Sequence, residues 1–367
     1  MDEEYSLQGN IEVLNKDHVP FGHKFTRDTT SVIEALKYWI DNRGLPDSRP
    51  DRTDLYKYCD VQNSRELMVG SYGLNLSDHY WICKEDNYLN WQDINFFQNN
   101  FAVLYDKLIA ENKEIYKVHP DFSVNGSLPK AWYINGNDKR ILIKKGRIIQ
   151  EQEPFNEIAA SKIMDLLNID HIHYNLDRIQ GDIPVSTCEC MVSAEIELVP
   201  AAAVINMEER KGRNNYTLIN EICKSNGIKN SRECLDKMIF IDYIIGNNDR
   251  HLYNFGILRD SATLEWKKVA PIFDNGNSLF FDYQIISKDE EMIDSKCRWF
   301  PESNFDKLKL MSFTEWYDAG KMTNIGSIVN KELQGNAKIL PEKTDMIIEI
   351  INERIMRFEQ VINEKRG

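Results

Sequence analysis

The sequence is short of positive charge. Its 58 acidic residues outnumber 45 lysines and arginines, for a formal net charge of −13. A nucleic-acid binder carries a basic surplus, so direct binding to nucleic acid is not expected. The short basic runs at 144–147 and 208–213 read as solvated loops. No apolar run approaches the ~20 residues that span a bilayer. The opening MDEEYSLQGN is acidic and has no apolar core, which excludes a secretory signal there. The expected location is the cytoplasm, with no membrane association. The seven cysteines form no framework, and an odd number in an intracellular chain reads as reduced thiols. His171 and His173 lack a third ligand nearby in sequence, as do Cys188 and Cys190, so neither pair reads as a zinc site. Repeats and low-complexity tracts are absent. So is a Walker motif: Gly320-Lys321 is followed by Met322 and lacks the upstream glycine.

What is present is an ordinary globular composition, 42% apolar and 28% charged over 367 residues, enough for two or three domains. A change of pattern around 117–124 separates a small mixed N-terminal region from a hairpin-and-helix stretch and a mostly helical second half. In the first part SVIEALKYWIDNRG reads as a helix, with Ser31 and Glu34 as a capping box and Gly44 as a stop. HYWICKE reads as a short strand and NWQDINFFQNNF as a short helix. Trp39, Tyr80, Trp81, Trp91, Phe96 and Phe97 read as the core of this region.

AWYINGNDKRILIKKG reads as a hairpin around Asn-Gly, with Leu142 and Lys144 on one face and Ile141 and Ile143 on the other. EPFNEIAASKIMDLLNI comes next as a helix with Pro154 in its first turn. PVSTCECMVSAEIELV reads as strand. NSRECLDKMIFIDYIIG reads as a helix capped at Asn230, with Asp242 on its apolar face. The final TDMIIEIINERIMRFEQVINEKRG is a long amphipathic helix whose stripe faces the core.

The chemistry concentrates in GNNDRHLYNFG (246–256) and in the segment from there to Asp274. A second hairpin spans FGILRD and LEWKKVAP; Asn254 stands just before it and Asp274 just after. A hairpin returns the chain to its start, so these two side chains, twenty positions apart, should meet. Asp249 lies on the loop feeding the same end. Two carboxylates and a carboxamide offer hard oxygens that suit Mg²⁺. A separate carboxylate can take the proton of an attacking hydroxyl. The order of base, asparagine and aspartate is that of a phosphoryl-transfer site. Lys144 is the candidate phosphate-binding cation, with Lys145 as the alternative if the register slips, and Glu157 its candidate ion-pair partner. DFSVNGSLPK (121–130) could cradle phosphates with backbone N–H groups around Ser123, Gly126 and Ser127. Arg250 and His251 read as buttresses of the loop.

These segments carry a resemblance. GNNDRHLYNFG followed by PIFDNGNSL resembles the C-terminal half of the HipA-like serine/threonine kinases of bacterial toxin–antitoxin modules. The Asp-Arg-His-x-x-Asn core is also similar to phosphatidylinositol-kinase-type enzymes. The resemblance covers about 120–360. It implies an α+β, bilobal protein-kinase-like fold, with an additional N-terminal domain over 1–116, a β-rich N-lobe over 117–192 and a helical C-lobe over 193–367, a hinge at Cys188–Cys190 whose backbone hydrogen-bonds adenine, and ATP and Mg²⁺ as cofactors. By motif it implies that Asp249 is catalytic, that Asn254 and Asp274 bind Mg²⁺, and that Lys144 and Glu157 form the phosphate-gripping pair. Ser123 takes the place of a serine that autophosphorylates in the family. The acceptor expected is a serine or threonine hydroxyl of a protein, with an antitoxin-type protein as partner. A lipid or small-molecule kinase and a non-catalytic interaction protein of the same fold are the other readings.

Overall fold

In the computed structural model, the residues described are 12, 14–15, 18–20, 29–47, 49, 52–83, 88–101, 118–123, 128–147, 149–179, 181–294, 304–312 and 315–366. The architecture is mixed α+β: a small sheet-rich lobe, a larger helical lobe, and an N-terminal layer packed along one side of both.

The small lobe is built on strands β1 (Lys130–Ile134), β2 (Arg140–Lys145), β3 (Tyr174–Ile179) and β4 (Ile183–Glu189), antiparallel in the order β1-β2-β4-β3. The β1–β2 hairpin forms as expected, but its loop is not a two-residue Asn-Gly turn. It runs over 135–139, closed by Asn135 N–H to Lys139 O, with Asp138 at φ 59. The Asn135 side chain accepts from the amides of Asn137 and Lys139, which favours the longer loop. Lys144 lies opposite Lys130 on one side and Ser186 on the other.

Helix Glu153–Leu167 crosses behind this sheet. It carries the expected Pro154 in its first turn and ends at Asn168 in the left-handed region. Ile158 packs with Tyr174 and Cys188 of the sheet, while Phe155, Ala159, Ile163 and Met164 enter the core of the large lobe. Buried on both sides, the helix also buries Glu153, Asn156 and Glu157. Polar groups so placed must be paired.

The segment expected as one long strand is two. After β4 the chain crosses to β5 (Ile196–Pro200), which pairs with β6 (Gly256–Asp260); β6 in turn pairs with β7 (Trp266–Val269) in a separate three-stranded sheet. Helix Ser231–Ile245 fills the core of the large lobe and stops at Gly246, φ 64. Its Asn230 cap makes no side-chain hydrogen bond, contrary to the cap signal. Helix Pro341–Arg366 lays Ile347, Ile350, Ile351, Phe358 and Ile362 against it, as its stripe suggests.

In the N-terminal layer, the first helix runs over Thr29–Asp41, so Ser31 sits inside it rather than at its cap. The residues 79–83 form no strand, and the aromatic helix is one turn, Trp91–Ile94. The aromatics do form core, with Phe96 and Phe97 joining Val192 and Leu258 of the lobes in one cluster. Trp39 is buried too, edge-on to Tyr80, and it also borders the main cavity. No helix of the described residues is long and apolar enough to cross a membrane.

Candidate active site

A cavity of about 340 Å³ lies where the two lobes and the N-terminal layer meet. Leu142, Lys144, Ser123, Cys190, Asp249, Asn254 and Asp274 all border it. Gly126 and Ser127 lie outside the described residues.

Lys144 is buried at the end of β2. Its Nζ donates to Glu157 Oε1 at 2.6 Å and to Asp274 Oδ1 at 2.5 Å, and lies 5.2 Å from the Tyr174 ring centroid. Burial works against its charge, but the Asp274 and Glu157 carboxylates outweigh it and hold the ammonium well above the usual lysine range. Burial pushes Glu157 up, with Lys144 opposing. Burial acts on Asp274 in the same sense, yet Lys144 and then Lys130 overcome it and hold that carboxyl well below the usual range. Lys145 spends its N–H on Pro129 O, and it is Lys144 whose ammonium meets both carboxylates, so the register favours Lys144.

The backbone around Asp274 is tightly specified. A parallel bridge joins His171 to Ile272, two residues before it. Asp274 itself has φ 60, a left-handed conformation that a non-glycine residue adopts at a cost of order 1–3 kcal/mol. Its N–H donates to the Tyr174 hydroxyl at 3.3 Å, and the next N–H, of Asn275, donates to Glu157 Oε2 at 2.8 Å.

The β6–β7 hairpin brings the loop and Asp274 together as its length requires. Arg250, fully buried, ties them: it donates to Asp242, to Asn254 O at 2.9 Å, to Phe273 O, and to Asn275 Oδ1 at 2.6 Å. His251 caps the turn: Asn254 N–H donates to its carbonyl and Tyr253 N–H to its Nδ1. Arg250 ties these segments from a fully buried position, whereas His251 caps the turn and also borders the cavity. Asn254 donates its Nδ2–H to Asp249 O at 3.1 Å. That fixes the amide's orientation, leaving its oxygen as the acceptor end. With the Asp274 carboxylate this gives two hard-oxygen donors, a set that fits Mg²⁺.

Cys190 follows β4, donates its N–H to Arg140 O, and lies 3.6 Å through Sγ from Leu76 O. Burial pushes its thiol up to about 12, so it is a neutral thiol. Ser123 ends a short 3-10 turn; it is 4% exposed, and its carbonyl accepts Asn75 Nδ2–H at 2.6 Å. The two histidines do meet a third group: Asp165 stands 3.4 Å from His173 and 3.7 Å from His171. Both ring nitrogens of His171 are already engaged, by Ile169 O and Ser161 Oγ.

Three residues escaped the sequence reading. Tyr174 sits under Lys144 and against Asp274. Lys130 borders the cavity opposite Lys144, pushed down to about 8 by burial with Asp274 opposing; its place in SLPK was a usable signal. Asn277 donates to Asp249 Oδ2 at 2.5 Å, and nothing in its spacing announced this.

No family model and no curated protein matches the chain. Among solved structures it is similar to the proinflammatory kinase CtkA of Helicobacter pylori: 18% identity, 65% of this chain and 96% of that one covered, TM-score 0.49. It is also similar to the Shewanella oneidensis toxin–antitoxin complex of HipA, HipB and operator DNA, at 13% identity, 91% and 88% coverage and TM-score 0.48. A third similarity is to a Golgi casein kinase, at 13% identity, 98% and 95% coverage and TM-score 0.32.

Proposed function

We propose that this protein is an ATP- and Mg²⁺-dependent kinase that transfers the γ-phosphate to a serine or threonine hydroxyl. The observation that carries the reading is one cavity bordered by four groups with complementary tasks: Lys144, Asp274, Asn254 and Asp249. Lys144, charged and preset by Glu157, grips the nucleotide phosphates. Asp274 and the Asn254 amide oxygen would hold Mg²⁺, which neutralises charge on the transferred group. Asp249 orients the acceptor hydroxyl and receives its proton. The chain at Cys190 borders the cavity on the side assigned to the base, and Gly126 and Ser127 are proposed from the sequence alone as phosphate contacts.

The acceptor belongs to a protein, and Ser123 is a second acceptor within the chain. An antitoxin-type partner is part of the same proposal, as are domain limits at 116 and 192 and a cytoplasmic location. The kinase and partner readings rest on the resemblance of residues 246–256 and 271–279, the limit at 116 on a change of sequence pattern, and the location on composition.

The test is radiolabelled transfer from ATP, with calorimetry of nucleotide binding alongside. Asp249→Asn should keep Mg-ATP affinity and lose transfer by ~10²–10⁴-fold. Asp274→Ala should lose Mg²⁺-dependent binding itself. Normal transfer by both variants would sink the assignment. Label appearing on a lipid fraction and on no protein would overturn the acceptor alone.

A further inference from the structure

Asn277 lies three residues beyond Asp274, and its spacing assigns it no task. Its Nδ2 donates to Asp249 Oδ2 at 2.5 Å, while Arg147 Nη1 lies 3.5 Å from its Oδ1. A cation at one end of the amide and a carboxylate at the other fix which way it faces.

The backbone on either side of Asn277 is held by one side chain. Asn156 Nδ2, fully buried, donates to Gly276 O at 2.9 Å and to Ser278 O at 2.7 Å. Gln152 sets Asn156 in turn, donating to its Oδ1 at 3.1 Å and to Leu279 O at 2.7 Å. Asn156 is the neighbour of Glu157 on helix Glu153–Leu167. Consecutive residues of one helix thus reach both ends of the site: Glu157 holds Lys144, and Asn156 holds the segment that presents Asn277 to Asp249.

We infer that Asn277 is a positioning residue for Asp249, set in place by Asn156, so that one helix governs both the nucleotide-gripping lysine and the acceptor-facing carboxylate. This rests on the reading of Asp249 as the catalytic carboxylate. The amide donates to one carboxylate oxygen and thereby fixes the side chain's rotation at the cavity edge. A hydrogen bond to an ionised group is about twice as strong as a neutral one, enough to select one rotamer. Displacing a reacting group by about 1 Å costs about 10²-fold in rate, so the effect belongs in turnover rather than in nucleotide binding.

The experiment measures kcat and KM for ATP with Mg²⁺, using myelin basic protein as the probe acceptor, together with Mg-ADP affinity by calorimetry. Asn277→Ala should lower kcat about tenfold or more, with KM for ATP and Mg-ADP affinity within about twofold. Asn277→Asp sets two carboxylates side by side and should fall further. In an Asp249→Asn background, Asn277→Ala should add less than about twofold, because the group it positions is gone. A merely structural role would add the same loss in both backgrounds. Unchanged kcat in Asn277→Ala, a loss confined to KM or Mg-ADP affinity, or equal losses in both backgrounds overturns the inference while the kinase reading stands. A wild-type protein that transfers no phosphate overturns both.

Discussion

Arg250 shows how much one side chain can specify. It is 0% exposed, and its guanidinium is shared between Asp242 on the core helix, the Asn254 turn and the Phe273–Asn275 segment. Burial pushes Asp242 up, and Arg250 opposes that rise. Removing the arginine would strand a buried carboxylate and free two segments of the site at once. Arg250→Ala should cost about 3–5 kcal/mol, the usual cost of breaking a buried pair by deleting one partner. Arg250→Lys should recover only part of it, since an ammonium cannot reproduce the planar fork. The shift of the urea midpoint measures both, and a loss under about 1 kcal/mol in the alanine variant would contradict the account. Local pattern assigns Arg250 the role of a buttress. It does not show that the same residue spans 25 positions to reach Asn275.

At the scale of elements, β5 and β6 depend on a charge cluster that local pattern does not announce. Glu197 on β5 is 2% exposed; it accepts Arg259 Nε–H from β6 at 2.6 Å and lies 3.4 Å from His79 of the N-terminal layer. Burial alone would raise its carboxyl, but His79 and Arg259 overcome burial and lower it. A depressed carboxyl contributes its stability in full above the unfolded glutamate value of ~4.3 and loses it as pH falls through the folded value. Stability should therefore rise as pH climbs from the lowered folded value to the unfolded value of ~4.3, and Glu197→Gln should flatten that rise. Chemical denaturation across this range checks it; an unchanged slope in Glu197→Gln would show that other groups carry the acid loss. Beside this cluster Gly256, the first residue of β6, lies so near β5 that a Cβ would meet the Val199 carbonyl, which is why the strand needs a glycine there.

For the whole molecule, the N-terminal layer is bound into the rest. Phe96, Phe97 and Phe101 share a core with Val192, Leu258 and Ala270. Arg43, pinned to Asp78 at 2.5 Å, stiffens the stretch that borders the cavity. The sequence divides the chain at 116 by a change of pattern, but a change of pattern does not reveal which surfaces touch. A fragment beginning at Val118 would expose the lobe side of this shared core. It should be poorly soluble and bind a hydrophobic dye, whereas the full chain should not. A soluble fragment with a cooperative thermal transition would show that the lobes need no such cover.

The sequence by itself determined the parts whose information is local. Helix Glu153–Leu167, the two hairpins, the placing of Lys144 beside Leu142, and the convergence of Asn254 with Asp274 come from periodicity, turn chemistry and the return of a hairpin. These are short-range consequences of side-chain spacing and backbone sterics. Local pattern misjudged the break between β4 and β5, because an apolar alternating run does not say when a strand changes sheets. Only the tertiary structure decided that Tyr174 supports Asp274 across 100 positions, that Asn156 places Asn277 beside Asp249, and that Asn75 holds Ser123. These contacts join buried or half-buried polar groups, and the partner of each was whatever the packed fold brought within reach.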